Sequence, residues 1–249
     1  MKTDTTNAFS VDFVKSGLPL IISFGFAQWN GEHQYDFVGR LKRVEQIAQR
    51  QLNKIFLKDS TNSWYHNGVQ GLGESIDEVA QSLQALIESM QPSRIIAVGQ
   101  SMGGYAAIAF GILLKVDTVI SFGSLSCLDS RFAQLTQDTR WLPCSLQLES
   151  SNLSCSYFDL IPLCQSKPAH TKIHYIFGSR FEDEETGEKN LDVLHASRLH
   201  GACLDIKFYA YPQSAHTVVK YLVDRKKINS LLLKLIFGID ESEVINGSG

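Results

Sequence analysis

Six short runs of apolar residues punctuate the chain: Leu18–Phe24, Lys54–Leu57, Arg94–Val98, Thr118–Phe122, Lys172–Phe177 and Asp205–Tyr209. Their apolar positions are continuous rather than alternating. That is the pattern of strands covered on both faces in a parallel sheet. Phe9–Val14 offers a further edge strand. Between the runs the period lengthens to that of helices. Ser75-Ile76-Asp77-Glu78 has capping-box spacing and opens an amphipathic stretch to about Met90, which Pro92 then stops. Helices are also expected over about Asp36–Gln51, after Ser101 through Ala106, Ala107, Ala109 and Leu113, and over Thr217–Phe237 as one or two segments. Strand and helix alternate, so the fold class is α/β: a mostly parallel sheet of about six to seven strands flanked by helices.

One interval breaks the rhythm. Ser124–Thr171 is far longer than a simple crossover between parallel strands requires. It carries Trp141, Leu142, Leu146, Leu148, Leu153, Tyr157 and Phe158 among many serines and glutamines. We read it as a helical cap or lid, about 124–171, over a single domain spanning 1–239, with a frayed polar tail over 240–249. The chain has no internal repeat and no low-complexity tract.

Composition narrows the function classes. At 249 residues with 44% hydrophobic and 20% charged, the chain can bury a core and is not disordered. Lys+Arg total 23 against 26 Asp+Glu, for a net charge of −3. A dedicated nucleic-acid binder carries the opposite imbalance, so none is expected as partner. The run Leu18–Phe24 is too short to span a bilayer, the first residues are polar, and the five cysteines contain no CxxC pair. These features predict a cytoplasmic protein with free thiols and no membrane partner.

The chemistry centres on Gly99-Gln100-Ser101-Met102-Gly103-Gly104, set between a strand and an alanine-rich helix. A GxSxG sequence in that context predicts a strand-to-helix elbow that lifts its serine into a cleft. A hydroxyl is a poor nucleophile at neutral pH and needs a base. His216 follows the last expected strand, at the carboxyl end of the sheet where Ser101 also sits, and is the candidate. His174 falls inside a strand and reads as a packed core histidine. His195 and His200 share a helix and read as surface or supporting residues, while His33 and His66 lie on loops that can face the site. The acid that orients the imidazole should lie after Phe177. Asp192, just before a helix, is the leading candidate and Asp183, nearer the strand end, the alternative; Glu182 lies beside it. Two backbone donors are needed for an oxyanion: the amide of Met102, and that of Phe26 or Ala27 after Gly25.

These features together resemble the α/β-hydrolase superfamily of serine esterases, lipases and thioesterases. The elbow Gly99–Gly104, the acid loop and Pro212-Gln213-Ser214-Ala215-His216 stand in that superfamily's order, over about residues 18–237. The resemblance implies a Ser-His-Asp triad, an acyl-enzyme intermediate, no metal and no cofactor, and a cap near 124–171. Two departures are the reduced amino-terminal strands and the long acid loop. A second, local resemblance involves Asp59-Ser60-Thr61-Asn62-Ser63-Trp64-Tyr65-His66-Asn67-Gly68 with Gly71-Leu72-Gly73. It is similar to a bacterial subgroup of small hydrolases found with glycan-assembly enzymes. The segment also follows a strand at the catalytic end, so Trp64, Tyr65 and His66 are candidates to line an acyl or sugar pocket, with Trp29 and Trp141 as further candidates. The expected partner is a small-molecule or glycan-linked acyl substrate. The expected activity is hydrolysis of a carboxylic ester or thioester. Acyl transfer from a carrier, or binding without catalysis, are the alternatives.

Overall fold

The continuous apolar runs become the strands of one sheet. In the computed structural model, residues 7–151, 155–166, 170–183, 187–202 and 205–240 are described. The expectations for Leu153, Cys203, the acidic residues 184–185 and the tail beyond 240 lie outside these residues. The strands are β1 (Phe9–Asp12), β2 (Leu20–Phe24), β3 (Asn53–Leu57), β4 (Ile95–Gln100), β5 (Thr118–Phe122), β6 (Lys172–Gly178) and β7 (Ile206–Tyr211). They lie in the order β1-β3-β2-β4-β5-β6-β7. Only β1 runs antiparallel, with Phe9 opposite Leu57; the other neighbours are parallel.

Successive residues of a strand point to opposite faces, and the core divides accordingly. On one face Leu20, Ile22 and Ile55 pack with Val79 and Leu83 of α2 (Ile76–Met90) and with α3 (Met102–Leu113). On the other, Ile21, Phe56, Ile96 and Val98 pack with α1 (Val38–Ala48) and with the last two helices. β2, β3 and β5 are buried along their whole length, which is why their sequences do not alternate.

Helix α2 starts as its spacing predicts, with Ser75 Oγ accepting from the Glu78 amide at 3.2 Å. The Glu78 carboxylate accepts from the Glu74 amide instead of that of Ser75, so the capping box closes on the preceding residue. Helix α1 is shorter than expected. The Asp36 carboxylate takes the Phe37 amide, Phe37 adopts a left-handed φ of 59°, and Gln49 at φ 50° ends the helix.

Between β5 and β6 the chain forms α4 (Ser130–Leu135), α5 (Leu142–Ser150), a 3-10 turn (Cys155–Tyr157) and α6 (Leu160–Ser166). Much of this segment is not a detached cover: Leu128, Leu148, Phe158, Leu160 and Leu163 join the core on the α2–α3 face. After β6 come α7 (Asp192–His200), β7, α8 (Val218–Asp224) and α9 (Ile228–Phe237). Among the described residues no helix is long and apolar enough to cross a membrane.

Candidate active site

The elbow between β4 and α3 places Ser101. Its backbone has φ 51° and ψ −118°, a sparsely populated conformation for a residue with a side chain. Small neighbours make that turn possible. A Cβ at Gly99 would collide with the carbonyl of Gly103, and a Cβ at Gly103 with the carbonyl of Phe24. The second collision shows how tightly α3 is pressed against the end of β2. Ser101 stands just ahead of α3, at the positive end of that helix.

Two loops at the same end of the sheet supply its neighbours. His216 Nε2 is 3.0 Å from Ser101 Oγ, and His216 Nδ1 is 2.9 Å from Asp192 Oδ1. His216 and Asp192 are both buried. Asp192 is the first residue of α7, and the loop before it is folded by Asn190. The Asn190 amide donates to the carbonyls of Gly178 and Arg180 at 2.8 and 2.9 Å, pulling the loop back against β6. Asp183 lies earlier in this loop, in a turn where its amide donates to Glu188 O and its carbonyl accepts from Gly187. The carboxylate that meets His216 is that of Asp192.

The loop after β2 faces Ser101 from the other side. Gly25 donates to Leu57 O, and the Asn62 side chain grips Gln28 through both its amide and its carbonyl, at 3.0 and 2.9 Å. This holds the stretch through Phe26 and Ala27 between two fixed points. Among the described residues, no hydrogen bond is donated by the amides of Phe26, Ala27 or Met102. At the far end of the loop Asp36 accepts from Gln100 Nε2 at 2.9 Å, tying the loop to the residue before Ser101. Burial pushes the Asp36 carboxyl up to about 6, against the hydrogen bonds from Phe37 and Gln100.

The aromatic residues divide. Trp141 is half-buried, its ring 5.5 Å from the imidazole of His216 and edge-on to Trp64 at 5.6 Å. Trp64 and Tyr65 have no exposed surface. Tyr65 donates to Gly25 O at 3.1 Å and packs edge-on against Phe24 and Phe110, so it supports the floor of the site from the core and forms no open wall. The reason is Asp59, whose buried carboxylate accepts the amides of Thr61, Ser63 and Tyr65 and winds the loop inward. His66 is buried too, 3.1 Å from the Tyr105 hydroxyl and edge-on to Phe158. Trp29 is 56% exposed on the outer part of its loop. His174 sits in β6 with Nδ1 2.9 Å from the Tyr209 hydroxyl, as a core histidine does.

Two residues near the site carried no distinctive signal in the sequence. Asp138 is buried and accepts the amides of Arg140 and Trp141, which fixes the turn presenting Trp141 to His216. His195, one turn into α7 from Asp192, is almost fully buried. An Asp-x-x-Trp spacing and an i, i+3 acid–histidine pair are too common to single either out.

The arrangement of strands and helices has counterparts among solved structures. The chain has the α/β-hydrolase fold. The capsule O-acetyltransferase of Neisseria meningitidis serogroup A superposes with a TM-score of 0.58 at 15% identity, over 90% of this chain and 92% of that one. The substrate-bound fluorophosphonate-binding serine hydrolase F of Staphylococcus aureus gives a TM-score of 0.54 at 19% identity, over 92% and 88%. A lipase-esterase related protein from Clostridium acetobutylicum gives 0.53 at 15% identity, over 92% and 98%. No protein-family model and no curated protein matches the sequence. Within the α/β-hydrolase fold, a half-buried serine, a buried imidazole and a buried carboxylate in hydrogen-bonded series can activate a hydroxyl for attack on a carbonyl.

Proposed function

We propose that the protein is a serine hydrolase that cleaves a carboxylic ester or thioester through an acyl-enzyme. The observation that carries this reading is the unbroken series Ser101 Oγ, His216 Nε2 and Nδ1, and Asp192 Oδ1, at 3.0 and 2.9 Å. Ser101 Oγ attacks the substrate carbonyl carbon while His216 Nε2 takes its proton. Asp192 holds the Nδ1–H tautomer and stabilises the imidazolium. The amides of Met102 and of Phe26 or Ala27 receive the negative charge that develops on the carbonyl oxygen. His216 then returns the proton to the departing alcohol or thiol, leaving the acyl group on Ser101. Water, deprotonated by His216, releases the acid and restores the serine.

A second reading differs only in the last acceptor. One structural neighbour is a capsule O-acetyltransferase, solved also as a mutant in complex with CoA. In that reading a glycan hydroxyl replaces water and the acyl donor is a thioester. The test is to supply acetyl thioesters and acetyl aryl esters with and without saccharide acceptors. Free acetate at a rate independent of acceptor supports the hydrolase. Acetylated saccharide, formed at the expense of free acetate, supports the transferase. Neither product, from a folded protein, contradicts both and favours a binding protein.

A further inference from the structure

Helix α7 carries two titratable groups on one face, Asp192 and His195, three residues apart. The tautomer of His195 is fixed by its neighbours. The Ser126 amide donates to His195 Nδ1 at 3.0 Å, and Ser126 Oγ lies 3.1 Å from the same nitrogen. A backbone amide only donates, so Nδ1 accepts and the ring proton sits on Nε2. Burial pushes this histidine down to about 4; the attraction of Asp192 opposes the shift, and Arg198 and His216 add to it. The ring is therefore neutral near pH 7, with a single N–H to donate.

Among the described residues that N–H has no hydrogen-bond partner, and neither does the second carboxylate oxygen of Asp192, Oδ2; both atoms are buried. A donor and an acceptor, on residues three apart in α7, are thus left over in a region where such groups are nearly always paired. Both residues line one small cavity of about 10 Å³, close to what a single water requires. Asn190, Trp141 and His216 border it as well, as do the charged Asp138, Arg140 and Lys189. Arg198 points away, to Ser126 and to Asp159 at 2.8 Å, and stacks over Phe132. Oδ2 also faces the bare Cα of Gly123, where a Cβ would lie 3.2 Å away.

We infer that His195 is a positioning residue, donating from Nε2 through one water to Asp192 Oδ2, an inference that rests on the role proposed above for Asp192. The carboxylate is then held at both ends, Oδ1 by His216 and Oδ2 by the water, and cannot turn its Oδ1 away from the imidazole. The donated hydrogen bond also tempers the negative charge that His216 meets.

The test compares His195→Leu and His195→Gln with the wild type. The Leu variant keeps bulk and loses the donor; the Gln amide reaches the Nε2 position. His195→Leu is expected to lower kcat about tenfold or more with KM within about twofold. It should also move the acid limb of the kcat/KM profile to higher pH, because a less neutralised Asp192 holds the proton on His216 more firmly. His195→Gln should recover most of the rate and return the limb. Unchanged kcat and pH profile in the Leu variant, or equal losses in both variants, would overturn the inference. Should neither variant fold, imidazole nitrogen NMR of the wild type decides: a neutral Nε2–H tautomer for His195 at pH 7 is expected, and an Nδ1–H or charged ring overturns it. Fluorophosphonate labelling separates the two levels. A folded wild type that does not label at Ser101 removes the proposed function itself, whereas a wild type that labels beside an unaffected Leu variant removes only the role of His195.

Discussion

The indole of Trp141 stands 5.5 Å from the imidazole of His216, ring centre to ring centre, with the two planes at 60°. One aromatic residue from the long segment after β5 therefore covers the histidine that meets Ser101. Its own supports are Trp64 from below, the Arg140 guanidinium at 5.1 Å, and the Asp138 turn. A ring in that place can limit water at the imidazole, and under the proposed function it would shape the acyl side of the cleft.

Trp141→Ala should change selectivity more than stability. Trp141 is only half-buried, so the loss of stability is expected at about 1–3 kcal/mol, below that for a fully buried tryptophan. The ratio of kcat/KM between short and longer acyl esters should shift about tenfold. Thermal unfolding together with a series of aryl esters measures both. A variant that unfolds while keeping the wild-type ratio would assign Trp141 to the core alone.

Asp192→Asn should lower kcat by about 10³–10⁴-fold, because the neutral amide favours the wrong imidazole tautomer. Asp183→Asn, in the turn closed by Glu188 and Gly187, should leave kcat within a few fold. Steady-state kinetics of the two folded variants distinguish them. The reverse ranking would move the acid role to Asp183, and small effects from both would place it outside this loop.

How far the sequence reveals this site depends on how local the determining contacts are. The strands were legible because burial on both faces leaves continuous apolar runs such as Leu20–Phe24. Ser101 was legible because a strained elbow needs small residues at fixed offsets, Gly99 and Gly103, written within a few positions of each other. The carboxylate that meets His216 was legible as a loop with two candidates, Asp192 ahead of Asp183. Which aspartate reaches His216 depends on how Asn190 folds the loop back onto β6, and that contact spans 12 positions. Trp64 and Tyr65 read as pocket walls because they follow a strand at the catalytic end. Asp59 turns them inward, through left-handed backbone at Trp64 and Tyr65 that neither residue type announces. His195 read as a peripheral helix residue because its burial comes from Ser126 and Phe132, both far away in the chain.

Stability should fall as the pH drops from about 6.5 toward 4. Burial lowers His174 and His195 each to about 4 when folded, whereas the unfolded chain takes up both protons near 6.5. The unfolded state thus binds more protons in that window, and acidification favours it. Asp36 works in the other direction. Raised to about 6 in the folded protein, it takes up a proton before the unfolded chain does, and acidification between about 6 and 3.8 stabilises through it. Melting temperature against pH should therefore be less steep for His174→Gln than for the wild type. It should be steeper for Asp36→Asn, which loses the offset and gains stability above pH 6. The opposite changes in slope would contradict these assignments.

The central claim is that His216 makes Ser101 a nucleophile. Intact-mass and peptide mapping after treatment with a fluorophosphonate tests it most directly. The account predicts one adduct per chain, located on Ser101, absent from Ser101→Ala and slowed at least about 10³-fold in His216→Ala. A folded wild-type protein that stays unmodified, or one that labels at the same rate without His216, would contradict it.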